Sequence, residues 1–286
     1  MITVSPLIQP HEWIALSQHD ASNLVLVDAS AGPNAFENYK QQHLQGAIFA
    51  NLETQLAEVG EDAALGGRHP LPTPESFSET LAHLGISPTS YVVIYDDKKG
   101  SNAAARFWWM LKAVGHTHVY VLDGGLQLAL QAGIHTSQGE NIPQYTTPYP
   151  TSDWALPQAT LTDVQKASET NRTTIIDVRD TARYAGQHEP IDLIAGHIPT
   201  AINIPFVLNL HDDGTFKDKE ALHALYAPFL STVGPDNVIV HCGSGVTACH
   251  TLLAFASAGL PIPRLYVGSW SEWSRNNLPM ITQKTN

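Results

Sequence analysis

Residues 241–250, His-Cys-Gly-Ser-Gly-Val-Thr-Ala-Cys-His, set a thiol, Cys242, directly after the apolar run Val238-Ile239-Val240 and directly before two glycines in three positions. That order predicts a buried strand ending at the cysteine and a tight turn into a helix. Gly243 and Gly245 permit backbone conformations closed to other residues, so several loop amides can point at one atom. With the positive end of the following helix nearby, those amides favour a thiolate, and Cys242 reads as a nucleophile. The alternative use is packing, because free cysteines are among the most buried residue types. A phosphatase loop needs an arginine six positions after its cysteine to clamp phosphate, and Ala248 stands there. Cys249, two helical turns further on, is displaced by about 11 Å along the axis, beyond the Cα separation of about 7 Å that a disulfide tolerates. It is expected to pack unless the loop bends back.

The elements that position this loop are written twice. Apolar strand segments at 24–30, 91–97 and 118–125 alternate with helical stretches at 76–86 and 103–115 in the first half. The second half repeats the order with 174–180, 237–245 and 264–270 alternating with 221–230 and 247–259. "HLQGAIFANL" (43–52) and "GHIPTAINIPF" (196–206) hold matching places. Short apolar strands alternating with helices predict an α/β fold in which each half is a mainly parallel sheet flanked by helices. Open α/β sheets bind ligands at the carboxyl ends of their strands, where Cys242 falls. The expected division is a first domain over 1–140, a Pro/Thr/Ser-rich linker over 141–157 and a second domain over 158–286. Superposing "VVIYDD" on "VIVHCG" puts Asp96 in the first half where Cys242 stands in the second.

Composition narrows the function classes. The chain has 286 residues, 43% of them hydrophobic, so it can fold without covalent staples. Only two cysteines occur, which excludes a disulfide framework and points to a reduced, cytoplasmic setting. The N-terminus does not read as a signal peptide, and no apolar run is long enough for a membrane span. A net charge of -12 without a basic run argues against nucleic acid or an anionic membrane as partner. Fourteen histidines show no zinc spacing; His116 and His118 share one side of a short segment with no further ligand set, so no metal is expected.

Taken together, "CGSGVTA", "DVRDTARYAG", "GHIPTAINIPF", "FWWMLKAVGH", "VLDGG" and "GSWSEW" resemble the tandem-domain sulfurtransferases of the rhodanese superfamily, and the loop resembles that of its 3-mercaptopyruvate enzymes. The resemblance implies a catalytically silent first domain and a two-step reaction without metal or organic cofactor. Cys242 would take the outer sulfur of a small anionic donor as a persulfide and pass it to cyanide, a small thiol or a thioredoxin-like protein thiol. It also implies roles for side chains. Arg183 would hold the donor's anionic group, where spacing alone suggests a surface ion pair. Ser244 would hydrogen-bond the thiolate or polarise the donor; Gly243, Gly245, Val246 and Thr247 would line the donor-binding loop. A hydroxyl at Thr247 could equally just cap the helix. Glu53 aligns with an acidic residue that would complete a Cys-Ser-acid arrangement, and His69 falls where the family brings a loop to the site. Arg179 and Asp177 are expected to form a structural ion pair, and Trp270 to pack or to line the site.

One departure bears on the donor. After Glu189-Pro190 the 3-mercaptopyruvate enzymes carry a second arginine, and this chain has Ile191. The basic residues that follow the cysteine in thiosulfate-specific relatives are absent as well. Thiosulfate, or broad specificity, is the alternative donor reading; a rhodanese-like binding module without catalysis, or a persulfide carrier, is the alternative of another class.

Overall fold

The computed structural model describes residues 5–19, 23–151, 153–170 and 172–282. The chain divides into two compact units, and they are not contiguous in sequence. One comprises Met1–Glu58, Pro72–Ala155 and Asp212–Phe216; the other comprises Val59–Leu71, Leu156–His211 and Lys217–Asn286. A single cut at 141–157 therefore does not describe the partition: the segment 59–71, with His69, lies in the second unit.

The first unit runs β1 (Leu7–Ile8), α1 (Pro10–His19), β2 (Leu24–Asp28), α2 (Ala35–Gln41), β3 (His43–Leu44), β4 (Ile48–Phe49), α3 (Pro74–His83), β5 (Tyr91–Tyr95), α4 (Ala103–Ala113), β6 (Val119–Leu122), α5 (Gly125–Gln131) and β7 (Thr136–Ser137). Its sheet has the order β1-β6-β5-β2-β4 with every pairing parallel. The second unit runs β8 (Gln158–Ala159), α6 (Leu161–Ser168), β9 (Thr174–Asp177), α7 (Thr181–Tyr184), β10 (Ile202–Asn203), α8 (Lys219–Val233), β11 (Val238–His241), α9 (Ala248–Ser257), β12 (Arg264–Tyr266) and α10 (Ser269–Trp273). Its parallel sheet has the order β10-β9-β11-β12-β8. Read from the other edge the first order is β4-β2-β5-β6-β1, so strand for strand the two sheets are the same.

Burial on both faces explains the composition of the central strands. Val92, Val93 and Ile94 of β5, like Val238, Ile239 and Val240 of β11, are fully buried, as residues between two helical layers must be. The helix after each central strand is apolar almost all round: α4 buries every residue but Lys112, and α9 buries Ala248 through Phe255. Such a helix can only lie inside, and it fixes where the preceding loop begins and ends.

Register makes the internal repeat exact at one position of interest. In β5, Tyr95 pairs with Asp28 of β2, and in β11, His241 pairs with Asp177 of β9. The next residues, Asp96 and Cys242, are therefore structural equivalents at the carboxyl ends of the two central strands.

Candidate active site

The first unit demonstrates what the loop after the central strand does. Asp96 is fully buried, and its carboxylate accepts the backbone N–H groups of Lys98 and Gly100 on Oδ1, both at 2.8 Å, and of Asn102 and Ala104 on Oδ2 at 3.1 and 3.2 Å. Four amides, three of the loop and one of the first turn of α4, thus converge on one side chain. Burial pushes its acid up to about 6 against the opposing pull of those amides. The loop is an anion cradle occupied by the chain's own carboxylate.

In the second unit the corresponding loop begins at Cys242, which is 3% exposed. The fold holds this loop by its carbonyls. Cys242 and Gly243 carbonyl oxygens accept the N–H groups of Trp270 and Ser271 at the start of α10, at 3.1 and 2.9 Å, while Val246 and Thr247 carbonyls accept from Cys249 and His250. The Cys249 thiol donates to the Gly245 carbonyl at 3.3 Å, which fixes Cys249 as a packing residue. Among the described residues, no such carbonyl takes the N–H groups of Gly243, Ser244, Val246 or Thr247. Gly245 has φ +76, and a Cβ there would stand 2.5 Å from the Val267 carbonyl oxygen, so the turn requires glycine. The Cys242 N–H is taken by Ser269 Oγ at 3.2 Å; Ser269 is itself buried in the left-handed region, φ +54, and donates to the Tyr266 carbonyl. Thr247 stands at the helix start, but its hydroxyl caps nothing there.

Around the loop the unit gathers charge. Arg179, with a side chain 1% exposed, is clamped by Asp177 at 2.6 Å, the Gly196 carbonyl at 2.7 Å and Glu189 at 3.3 Å, and lies 4.7 Å over the Trp270 ring. It is the structural ion pair expected of it, and Trp270, fully buried, packs beneath it. Burial alone would raise Asp177, but Arg179 and His241 hold it below the usual range. His241, which faces Asp177 at 3.7 Å, is pushed down by burial, against the opposing pull of Asp177. Arg183 does not lie loose on the surface: it grips Glu189 at 2.7 Å and reaches Asp192 at 3.3 Å. Glu189 is kept ionised against burial by Arg183 and by the amides of Asp192 and Ile191.

The segment 59–71 docks on the same unit. Gly66 N–H donates to Glu272, Arg68 N–H to Ser271 Oγ at 3.1 Å, and Asn276 donates to the Ala64 carbonyl. Gly67 has φ +84, and a Cβ on it would overlap the Gly268 carbonyl, so the Gly-Gly pair is what lets the segment lie this close. It brings His69 Nδ1 to 2.7 Å from Ser244 Oγ, a contact that joins two of the expected site residues.

A profile described as a rhodanese-like domain matches residues 11–131 and again 160–276. The chain belongs to the rhodanese family. A Pseudomonas aeruginosa protein provisionally named a 3-mercaptopyruvate sulfurtransferase is 41% identical over 82% of this chain and 82% of its own. A Mycobacterium tuberculosis protein provisionally named a thiosulfate sulfurtransferase is 40% identical over 85% of this chain and 84% of its own. The crystal structure of a 3-mercaptopyruvate sulfotransferase from Escherichia coli superposes with a TM-score of 0.77 at 30% identity, covering 94% of this chain and all of that one.

Seen as a tandem rhodanese, the chain uses its repeat asymmetrically: a carboxylate fills the cradle of the first domain and a thiol begins that of the second. The second unit unites Cys242, Gly243, Ser244, Gly245, Val246, Thr247, Arg183 and His69. Glu53 belongs to the first unit, exposed in the turn after β4, where its N–H donates to Asn51 Oδ1. Three residues that sequence reasoning passed over join the site: Asp192, whose side chain is fully buried, and Arg68 and Arg275, which both pair with it. Arg68 had one visible signal, its place after Gly66-Gly67 and before His69. Arg275 had none. Among the described residues no helix is long and apolar enough to cross a membrane, and no group of three or more His, Cys, Asp or Glu side chains is placed to hold a metal ion.

Proposed function

We propose that the protein is a sulfurtransferase that takes sulfur from 3-mercaptopyruvate through a persulfide on Cys242 and hands it to a thiol. The observation that carries this reading is the matched pair of loops: the first domain's cradle directs four amides at an anionic group, and the second domain's equivalent position is a cysteine.

In the first step the Cys242 thiolate attacks the donor sulfur. The new S–S bond forms as the donor's C–S bond breaks, and the electron pair leaves on carbon as the enolate of pyruvate, which a proton converts to pyruvate. Negative charge develops on the donor's carbonyl oxygen. Ser244 Oγ–H is the group offered to it, with His69 Nδ1 behind the hydroxyl at 2.7 Å. Arg183 holds the donor carboxylate, its guanidinium aimed by Glu189 and Asp192. In the second step an acceptor thiolate attacks the outer persulfide sulfur, and Cys242 leaves as the thiolate. Both cysteines are free thiols, and the reaction suits a reducing compartment, so we place it in the cytoplasm.

The test follows both products: pyruvate release from 3-mercaptopyruvate and sulfur delivered to dithiothreitol, a reduced thioredoxin or cyanide. The reading expects pyruvate and transferred sulfur in equal amounts, both lost in Cys242→Ser. Sulfur delivered from thiosulfate and not from 3-mercaptopyruvate would replace the donor; delivery from neither would remove the enzyme reading.

A further inference from the structure

Three guanidiniums share one buried carboxylate in the second unit. Arg68 Nε and Arg275 Nη1 reach Asp192 Oδ1 at 3.1 and 3.0 Å, and Arg183 Nη2 reaches Oδ2 at 3.3 Å. Arg275 also donates to the Ser271 carbonyl at 2.8 Å, so it is turned into the protein. Arg68 and Arg183 differ from it. Their outer nitrogens meet over Gly243: Arg68 Nη2 stands 3.2 Å, and Arg183 Nη2 and Nη1 stand 3.3 and 3.6 Å, from the point where a Cβ on Gly243 would be. Among the described residues, both Nη groups of Arg68 and the Nη1 group of Arg183 have no protein acceptor. These are donors set beside Cys242 with only one of the two arginines expected from the sequence.

Arg68, Arg179, Arg183 and Arg275 pair with Asp177, Glu189 and Asp192, four positive groups against three negative, and the Cys242 thiolate of the proposed mechanism is the fourth negative group. Position 191, by contrast, presents an isoleucine that is 55% exposed.

We propose that Arg68 is a donor-binding residue, and that with Arg183 it forms a two-arginine clamp for the carboxylate and adjacent carbonyl of a 2-oxo acid donor. The second cation thus comes from the segment 59–71 instead of from position 191. This rests on the sulfurtransferase reading above. Arg68 offers both of its Nη groups and Arg183 its Nη1 group over one glycine, planar N–H donors that suit a carboxylate and its coplanar carbonyl better than a tetrahedral dianion.

The experiment compares the parent with Arg68→Gln, Arg68→Lys and Arg275→Gln in single-turnover persulfide formation, across concentrations of 3-mercaptopyruvate and of thiosulfate, with a melting temperature for each. Loss of charge-assisted hydrogen bonds predicts that Arg68→Gln raises the half-saturating concentration of 3-mercaptopyruvate about 10–100-fold, with a smaller rise for thiosulfate. Arg68→Lys recovers part of the loss. Arg275→Gln, which disturbs the same carboxylate without removing a donor above Gly243, reports the structural share and shifts half-saturation less. An unchanged half-saturation in Arg68→Gln, or a loss equal for both donors and equal to that of Arg275→Gln, overturns the role of Arg68. Failure of the parent itself to take sulfur from either donor overturns the sulfurtransferase reading and the clamp with it.

Discussion

Gly245→Ala tests whether the shape of the Cys242 loop is imposed by its backbone. The residue has φ +76, and the added methyl would stand 2.5, 3.0 and 3.1 Å from the O, Cα and C atoms of Val267. All three are backbone atoms of the chain leaving β12, so no side-chain rotation relieves them. A left-handed alanine costs about 1–2 kcal/mol, and forcing a methyl into a packed site adds about 1–3 kcal/mol. The expected loss is about 2–5 kcal/mol, which for a unit of this size lowers the melting temperature by roughly 5–15 °C. Gly243→Ala is the contrast: its methyl meets only the ends of Arg68 and Arg183, at 3.2 and 3.3 Å, and flexible ends give way. Thermal melts of both variants decide the matter, with persulfide formation measured alongside. The expected result is a large drop for Gly245→Ala with loss of sulfur uptake, and a small drop for Gly243→Ala with weakened donor binding. A Gly245→Ala protein that melts with the parent and takes up sulfur normally would show that the backbone at Gly245 does not impose the shape of the loop.

Other consequences are open to direct measurement. Ser244→Ala and His69→Ala should each slow sulfur uptake from 3-mercaptopyruvate about 100-fold, the usual size of one lost oxyanion donor, and the double variant should be little worse; additive losses would mean the two do not act through one hydroxyl. Cys249→Ser should leave sulfur uptake unchanged, since its thiol is used on the Gly245 carbonyl, and a loss would show that it takes part. His250 is fully buried, and burial pushes it down to about 3. Because its folded value lies below its unfolded one, the stability it contributes is present above about pH 6.5 and is lost as pH falls, at about 1.4 kcal/mol per pH unit. Urea midpoints in mildly acid buffers should therefore fall less steeply for His250→Gln than for the parent, and equal slopes would exclude it as the cause.

What was legible in the sequence was whatever has a period or a local rule. The central strands are short apolar runs because both faces of each sheet are covered, and α4 and α9 are apolar almost all round because they lie inside. The equivalence of Asp96 and Cys242 followed from aligning those runs, and the register bears it out. Boundaries were softer: α8 continues past Pro228 to Val233, beyond the expected stretch. The edge strands β1 and β8 are two residues each, too short to carry alternation. The larger gap concerns contacts between residues far apart in the chain. Nothing in the spacing of Arg68, Asp192 and Arg275 says that they meet, and nothing near residue 59 says that the next thirteen residues lie with the second unit. The same is true of Ser269, whose strained backbone places the hydroxyl that receives the Cys242 N–H. Thr247 shows the reverse error, a residue type that suits a helix cap in a place where the loop already closes through its carbonyls.

Intact mass shows whether Cys242 carries the sulfur. The purified protein is exposed briefly to 3-mercaptopyruvate or to thiosulfate and weighed, with Cys242→Ser treated in parallel. The expected result is a gain of one sulfur atom from 3-mercaptopyruvate, reversed by a thiol and absent from Cys242→Ser. A sulfur gain that survives Cys242→Ser, or no gain with either donor, would rule out Cys242 as the sulfur carrier.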